Sequence, residues 1–534
     1  MKKHISKPGY SALAVLFCAA LSACATNKDM LSGQDIADRA EQDYERMFSE
    51  RPSEGQTISV EEAIARAIKY NLDNRLKLME TVVAQQRLDL LDMKKLPRLA
   101  ANAGYTVRSH RQASSSLNLG TGVPNFGAST SQDKGIMSAD LQLSWDTLDF
   151  GIGYLNARQA GDEVLIAVER QRKTVQNIIR DVQYAYWRML GAQGLLASLE
   201  PLLIEIRQGL NDSYAAQQAK LLPLEECLDY QRAMLDIQRQ MHSLRRDIND
   251  SRIELTALMG LPPGFDYNIS DSTTPKSIEP NNDLPAIDNL RMLALRNRPE
   301  LIEEDYKKRI ALLEVKKARL RMIPGIELFT GYNYNDNSFL LHDTWASSGY
   351  RLTWDLLNLV SGPRAIRHSK SSVELADIRR MATSMAVVTQ VDVAVHRINQ
   401  ARADYNISLE ISRVDNSLFE QYEKRARFDQ QDHLSVVEAK ARKLLSNMRL
   451  AVAYADWQNA ISQLEISIGY QPGVLVDHTA ELEDLTRQIS DHLSAPSLAH
   501  ADGFYSTTDV ANDVEFADSY KNKSKNDKSL SEVR

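Results

Sequence analysis

Cysteine is scarce in this 534-residue chain: it occurs at positions 18, 24 and 227 only, too few for a disulfide-stapled fold. Proline is scarce too, at 16 residues, which argues for one elongated architecture over a string of ordinary domains. Positive charge is outweighed, with 64 Lys and Arg against 71 Asp and Glu and a net charge of −7. That leaves no electrostatic footprint for a nucleic acid. Recognisable chemistry is missing as well. There is no Gly-x-Ser-x-Gly, no His-Glu-x-x-His and no phosphate-cradling glycine loop, and the ten histidines are dispersed. No catalytic residue, metal site or cofactor is expected.

What is present begins with an export signal. Lys2 and Lys3 precede an apolar run from Ala12 to Ala20, too short to span a bilayer as a mature helix. It ends in Leu21, Ser22, Ala23 and Cys24, which resembles a bacterial lipoprotein cleavage box: residues 1–23 would be removed and Cys24 acylated. In that class Ala25 at the second mature position implies sorting to the outer membrane. An acylated Cys24 leaves Cys227 without a disulfide partner, and a lone thiol reads as structural. Residues 24–57 are expected to form a tether and a wrap around the middle of the molecule.

The rest of the chain is written twice. Trp145, Leu148, Arg158, Val182, Ala185 and Arg188 recur as Trp354, Leu357, Arg367, Val391, Ala394 and Arg397 at an offset of 209. The closing turns at Gly260, Pro263 and Gly264 recur at Gly469, Pro472 and Gly473. Upstream, Ala67, Pro97, Gly104 and Tyr105 match Ala294, Pro324, Gly331 and Tyr332 at an offset of 227. The 18-residue difference between the offsets falls between Tyr105 and Trp145. It identifies Ser114 to Gly135, rich in Ser, Gly, Asn and Thr, as an extended surface loop in repeat 1 (58–264) without a counterpart in repeat 2 (285–473).

Within each repeat two periodicities alternate. Ala139, Leu141, Leu143 and Trp145 interleave with Asp140, Gln142, Ser144 and Asp146, and Tyr350, Leu352 and Trp354 with Arg351, Thr353 and Asp355. These are strands with one wet face. The expected strands are about 99–111, 138–150, 325–335 and 348–358, and Ile326, Leu328, Thr330, Tyr332 and Tyr334 share one side. All else is helical, and Val168, Val175, Val182 and Met189 form a heptad seam with Ile178 and Ala185. A helix from Gly151 to Leu222 is balanced in length by two shorter ones, Leu224–Gly260 and Glu61–Leu96. Pro363–Gln431 is balanced by His433–Ile468 and Leu290–Ile323 in the same way. At 1.5 Å per residue each long helix spans roughly 105 Å, with strands at one end and reversals near Pro223 and Asp432 at the other. Four strands cannot close a barrel, whose observed minimum is about eight, so the chain must oligomerise.

This pattern resembles the outer-membrane efflux proteins typified by TolC, and the lipoprotein branch represented by OprM. The run Ala67–Leu72, its partner Ala294–Leu301, the strand-entry prolines Pro97 and Pro324, and the Trp-Asp pairs at 145/146 and 354/355 carry the resemblance. It implies a homotrimer whose twelve-stranded membrane β-barrel continues into a long α-helical coiled-coil barrel, each repeat giving a strand hairpin and a helical hairpin. It also implies a periplasmic adaptor, an inner-membrane transporter and outer-membrane lipid as partners. The protein would be a passive exit duct gated at its helical tip.

In the family an acidic constriction follows the second reversal. Glu438 fits its second acidic position, but Ser435 stands where the first acid is usual. Glu225, Glu226 and Asp229 occupy the equivalent turn of repeat 1. In a trimer inward acids would become rings, although negative charge also suits a helix start. Trp145, Trp354, Tyr332, Tyr334 and Tyr350 are expected at the membrane rim. Residues 474–494 read as an equatorial segment and 495–534 as a disordered polar tail. An outer-membrane component of protein or polysaccharide secretion, or a periplasmic coiled-coil scaffold lipoprotein, are the competing functions.

Overall fold

The computed structural model describes residues 30–48, 55–270, 284–426, 433–470 and 481–493. Residues 1–23, Cys24, the reversal at Asp432, Pro472, Gly473 and the tail 495–534 lie outside them. The chain divides into two units, Met1–Ser53 and Glu54–Arg534. The first contributes helix α1 (Gly33–Met47), opened by a capping box between Ser32 and Asp35.

Repeat 1 of the second unit runs β1 (Thr57–Ile58), α2 (Val60–Tyr70), α3 (Leu72–Met93), β2 (Arg98–Val107), β3 (Ser114–Leu117), β4 (Pro124–Ser129), β5 (Gly135–Asp146), α4 (Thr147–Gln218), α5 (Leu224–Leu258) and β6 (Asn268–Ile269). Repeat 2 follows as α6 (Ile287–Asn297), α7 (Pro299–Leu320), β7 (Gly325–Asn335), β8 (Thr344–Thr353), α8 (Asn358–Ala426) and α9 (His433–Ser467), and then α10 (Leu482–Leu493). The duplication is therefore structural. α2 and α3 have 11 and 22 residues, as do α6 and α7, while α5 and α9 both have 35.

Each ascending segment, expected as one helix, is two. At Asn71 the side chain caps α3, Oδ1 accepting from Asp73 N (2.9 Å) and Asn74 N (3.4 Å). At the matching break Pro299 starts α7, lacking an N–H and forcing Arg298 to extended geometry (ψ 126°). Both breaks abut the end of a neighbouring helix. Asn71 Nδ2 donates to Leu258 O at 3.5 Å, and Arg298 Nη1 donates to Ile466 O at 2.8 Å. The turns that follow need glycine: Gly469 has φ +73°, and a Cβ there would lie 2.7 Å from the carbonyl of Asn297. The stacked pairs α3 with α5, and α7 with α9, flank the long helices α4 and α8.

Helix α4 has the 72 residues expected, but starts at Thr147 because Asp146 caps it, Oδ1 accepting from Leu148 N (2.7 Å) and Asp149 N (2.9 Å). The strand expected over 138–150 accordingly ends at Asp146. Likewise the strand expected over 348–358 is Thr344–Thr353, with α8 beginning at Asn358, and 99–111 shortens to Arg98–Val107. α4 is not straight. Its axis turns by 54° between Thr147–Leu195 and Ala197–Gln218, just ahead of Pro201, whose ring collides with the carbonyl four residues before it, that of Ala197. The heptad seam is buried, Val182 fully so. The surplus segment of repeat 1 is no plain loop: β3 and β4 pair antiparallel as a separate two-stranded sheet.

At mid-length, Tyr186 is fully buried, its hydroxyl 3.1 Å from Ile58 O and 3.0 Å from Ser270 O. It thereby clamps the parallel β1–β6 pair. α10 packs on α2 there, with Leu485 and Ile489 in the same core as Ile64 and Ile68.

Candidate functional site

Strands β2, β5, β7 and β8 form one antiparallel sheet in that order. Its register sorts the side chains into two faces of opposite character, because directly opposed residues share a face. Leu99, Leu143 and Thr330 stand in one row, and Ala101, Leu141, Tyr332 and Ala346 in the next. This face also carries Tyr105, Val107, Met137, Trp145, Ile326, Leu328, Tyr350 and Leu352, and not one of its residues is charged. The other face carries Arg98, Asn102, Asp140, Gln142, Asp146, Glu327, Asn333 and Arg351. Arg351 pairs with Glu327 at 3.0 Å, and Asn102 Nδ2 donates to Asp140 at 2.9 Å. The apolar face is bare: Tyr350 is 79% exposed and Leu352 62%. β2 and β8 each have a partner on one side only among the described strands, so the sheet has two open edges.

The expected rim aromatics divide between the ends of this face. Trp145, Leu328 and Tyr350 form a row at the helix end, where Trp145 also meets Phe150 edge-on at 5.5 Å. Trp354, just past β8, donates from Nε1 to Met322 O at 3.1 Å. Tyr332 and Tyr334 lie towards the loop end, as does Tyr105, which sequence reasoning had not singled out although its alternation was visible. β7 has 11 residues, about 36 Å of chain and, tilted by about 40°, some 28 Å of height. A bilayer's apolar band is about 25 Å tall in such barrels.

At the opposite end of the helices, α4 reverses into α5 through a Schellman turn. Leu221 N donates to Ala216 O (3.0 Å) and Lys220 N to Gln217 O (3.2 Å), which places Lys220 at φ +56° where glycine is usual. Glu225, Glu226 and Asp229 follow, all exposed, on the first turns of α5. Ser435 and Glu438 on α9 are half-buried. Glu438 is not a free acid: Arg442 one turn later donates from Nε to its Oε1 at 2.9 Å. Sequence reasoning had overlooked this partner, although a Glu four residues before an Arg on a helix signals it. Beside Glu438 lies Tyr230 of α5, whose buried hydroxyl has no hydrogen-bond partner among the described residues. Burial, followed by the charges of Glu438 and Asp212, pushes its phenol up to about 12. Lys440 of α9 ties to Glu205 of α4 at 2.6 Å, and Cys227 of α5 is buried. The structure therefore gathers Glu438, Tyr230 and Lys440 where α4, α5 and α9 meet, while Glu225 and Glu226 remain in solvent.

No helix among the described residues is long and apolar enough to cross a membrane by itself, which leaves the sheet to be compared. A family model described as outer membrane efflux protein matches residues 75–261. A search of curated protein sequences returned no match. Among solved structures the chain is similar to the outer-membrane channel OprN, with TM-score 0.58 and 15% identity over 80% of this chain and 95% of that one. It is similar to the Campylobacter jejuni CmeC outer membrane channel, with TM-score 0.58 and 14% identity over 82% and 90%. The outer membrane protein VceC of Vibrio cholerae gives TM-score 0.55 and 13% identity over 77% and 96%. At such identities the likeness speaks for the fold. Joined to the family model matched over residues 75–261 and to the doubled strand-and-helix plan, it makes this chain similar to the outer membrane efflux proteins.

Proposed function

We infer that this chain is one third of an outer-membrane channel-tunnel, the passive exit duct of a tripartite efflux system in a Gram-negative bacterium. The observation that carries the reading is the four-stranded sheet with a charge-free, exposed face and two open edges. Such a face suits lipid, and such edges call for neighbouring strands; three chains supply twelve. The helices point the same way. α3 exposes Leu72, Leu76, Met79, Val83, Leu90 and Met93, and α8 exposes Ile407, Ile411, Val414 and Leu418, at the spacing of coiled-coil seams. A second copy is the natural cover for both. In the assembled duct the polar sheet face lines the lumen, Trp145, Trp354 and Tyr350 belt the periplasmic rim, Tyr334 lies nearer the outer one, and Tyr332 stands near mid-height beside Leu141. Cys24 carries the lipid anchor.

The tip formed by the reversals is the aperture, with Asp229 and Glu438 facing the pore, and it is also where a periplasmic adaptor and, through it, an inner-membrane transporter engage. No step of bond chemistry is involved. Heat-modifiable trimers in outer-membrane fractions are expected, and a chain found only as soluble periplasmic monomer would overturn the reading in favour of a scaffold. A deletion strain sensitised to small toxic compounds supports efflux; unchanged susceptibility with a missing secreted protein would reassign the duct to type I secretion.

A further inference from the structure

The 18 surplus residues of repeat 1 remain without a role in a duct built from two equal repeats. They rise as the β3–β4 hairpin between β2 and β5, at the end of the sheet remote from the helices. From Gln112 to Gln132 this segment holds no Asp, Glu, Lys or Arg, in a chain with 25% charged residues. Every residue of both strands is exposed, and Leu119 at 93% and Phe126 at 83% are nearly bare. An isolated two-stranded hairpin is marginal in water.

Its base, by contrast, is firmly held. Asn337, between β7 and β8, is buried; its Nδ2 donates to Ser131 O and its Oδ1 accepts from Asp133 N, both at 3.0 Å. Asp133 Oδ2 accepts from Ser338 N at 2.7 Å; the Ser338 hydroxyl, and after it this backbone bond, lowers the pKa of that carboxyl, and Asp336 Oδ1 accepts from Met137 N at 2.6 Å. The two loop regions of one chain are thus locked together, and only the hairpin's flanks and tip stay unpartnered.

Resting on the trimeric barrel inferred above, we propose that the β3–β4 hairpin is a contact surface for its own copies: three hairpins meet over the external mouth and narrow it, a restriction separate from the helical tip. Three-fold symmetry brings identical residues together, so any net charge on the tip would be repeated three times at close range; a segment without charge avoids that repulsion. The reach is sufficient. Twelve strands about 4.8 Å apart and tilted about 40° enclose a barrel of roughly 12 Å radius, whereas the six residues of β4 extend about 20 Å. Leu117, Leu119, Val123 and Phe126 supply the apolar contact.

Two measurements on full-length protein in outer membranes test this, in a Cys227→Ser background. With Thr121→Cys at the hairpin turn, a short bismaleimide is expected to link subunits into covalent dimers and trimers. With Gln142→Cys on the lumen face, a polymer-linked maleimide added from outside is expected to label about tenfold faster once residues 114–129 are replaced by a short Gly-Ser turn, because pore width sets access. A small maleimide should label both forms alike. Trimers that form and accept the small reagent, yet give no link at position 121 and no rate difference, overturn the hairpin contact alone. Absence of trimers, or a Gln142→Cys thiol closed to the small reagent, overturns the barrel reading and with it this one.

Discussion

Leu141 and Gln142 are neighbours in β5, and the structure assigns them opposite environments. Leu141 stands in the row Ala101, Leu141, Tyr332 and Ala346 near the middle of the sheet, and Gln142 in the row Ala100, Gln142, Gly331 and Ser347 on the other face. An arginine on the lipid side of a barrel at the bilayer midplane costs about 2–4 kcal/mol. In a trimer Leu141→Arg repeats that three times, about 6–12 kcal/mol, which is comparable to the whole stability of an ordinary domain of about 5–15 kcal/mol. Gln142→Arg adds a hydrated charge near Asp140 on a polar face, for which about 0.5 kcal/mol either way is expected. The assay is the amount of heat-modifiable trimer in outer-membrane fractions, read with a total-protein blot. Leu141→Arg should deplete the trimer severely while Gln142→Arg leaves it intact. Equal trimer yields, or the reverse order, would refute the assignment of faces and the membrane role of the sheet.

Three further perturbations address the tip. Replacing both Glu438 and Asp229 by Ala should raise single-channel conductance and weaken cation preference; unchanged values would remove these acids from the aperture. Tyr230→Phe should leave neutral-pH stability unchanged or improve it by about 1 kcal/mol, since it deletes a buried hydroxyl without a partner. The folded phenol titrates at about 12 against an ordinary 10, so the unfolded chain ionises first and stability falls as pH climbs between those values. The Phe variant should lose that part of the alkaline destabilisation, measured as trimer melting against pH, and an identical profile would contradict it. Lys220→Gly should stabilise the reversal by about 1 kcal/mol by relieving a left-handed backbone. A lower melting temperature would show that Lys220 makes a contact of greater worth.

Much of the architecture was legible because its signals are local or repetitive. Alternation along Ala139–Asp146 marks a two-faced strand, and the offsets of 209 and 227 mark paired elements. Boundaries were less legible. Asp146 reads equally well as a strand residue and as a helix cap, and only its hydrogen bonds to Leu148 and Asp149 decide. Pro299 signalled its break openly, but Asn71 reads as helix until its side chain is seen bonding the next turn. The β3–β4 pairing eluded the sequence because Ser, Asn and Gly runs carry no periodicity. At the tip, Glu438 is singled out by the resemblance to the family's acidic segment after the second reversal. Its neighbour Tyr230, which also feels Asp212, is not marked by any spacing that the sequence displays.

The sequence by itself determined the duplicated plan, the lengths of the two long helices and the two-faced character of each strand, because these follow from periodicity, capping and composition along the chain. Only the tertiary structure decided that β5 pairs with β7 to merge the two hairpins into one sheet, that both short helix pairs are pinned to the end of a neighbour, and that Glu438 lies beside Tyr230. Those facts depend on which distant surfaces meet and on which charges lie within reach. Packing sets both, and it couples residues that the sequence keeps far apart.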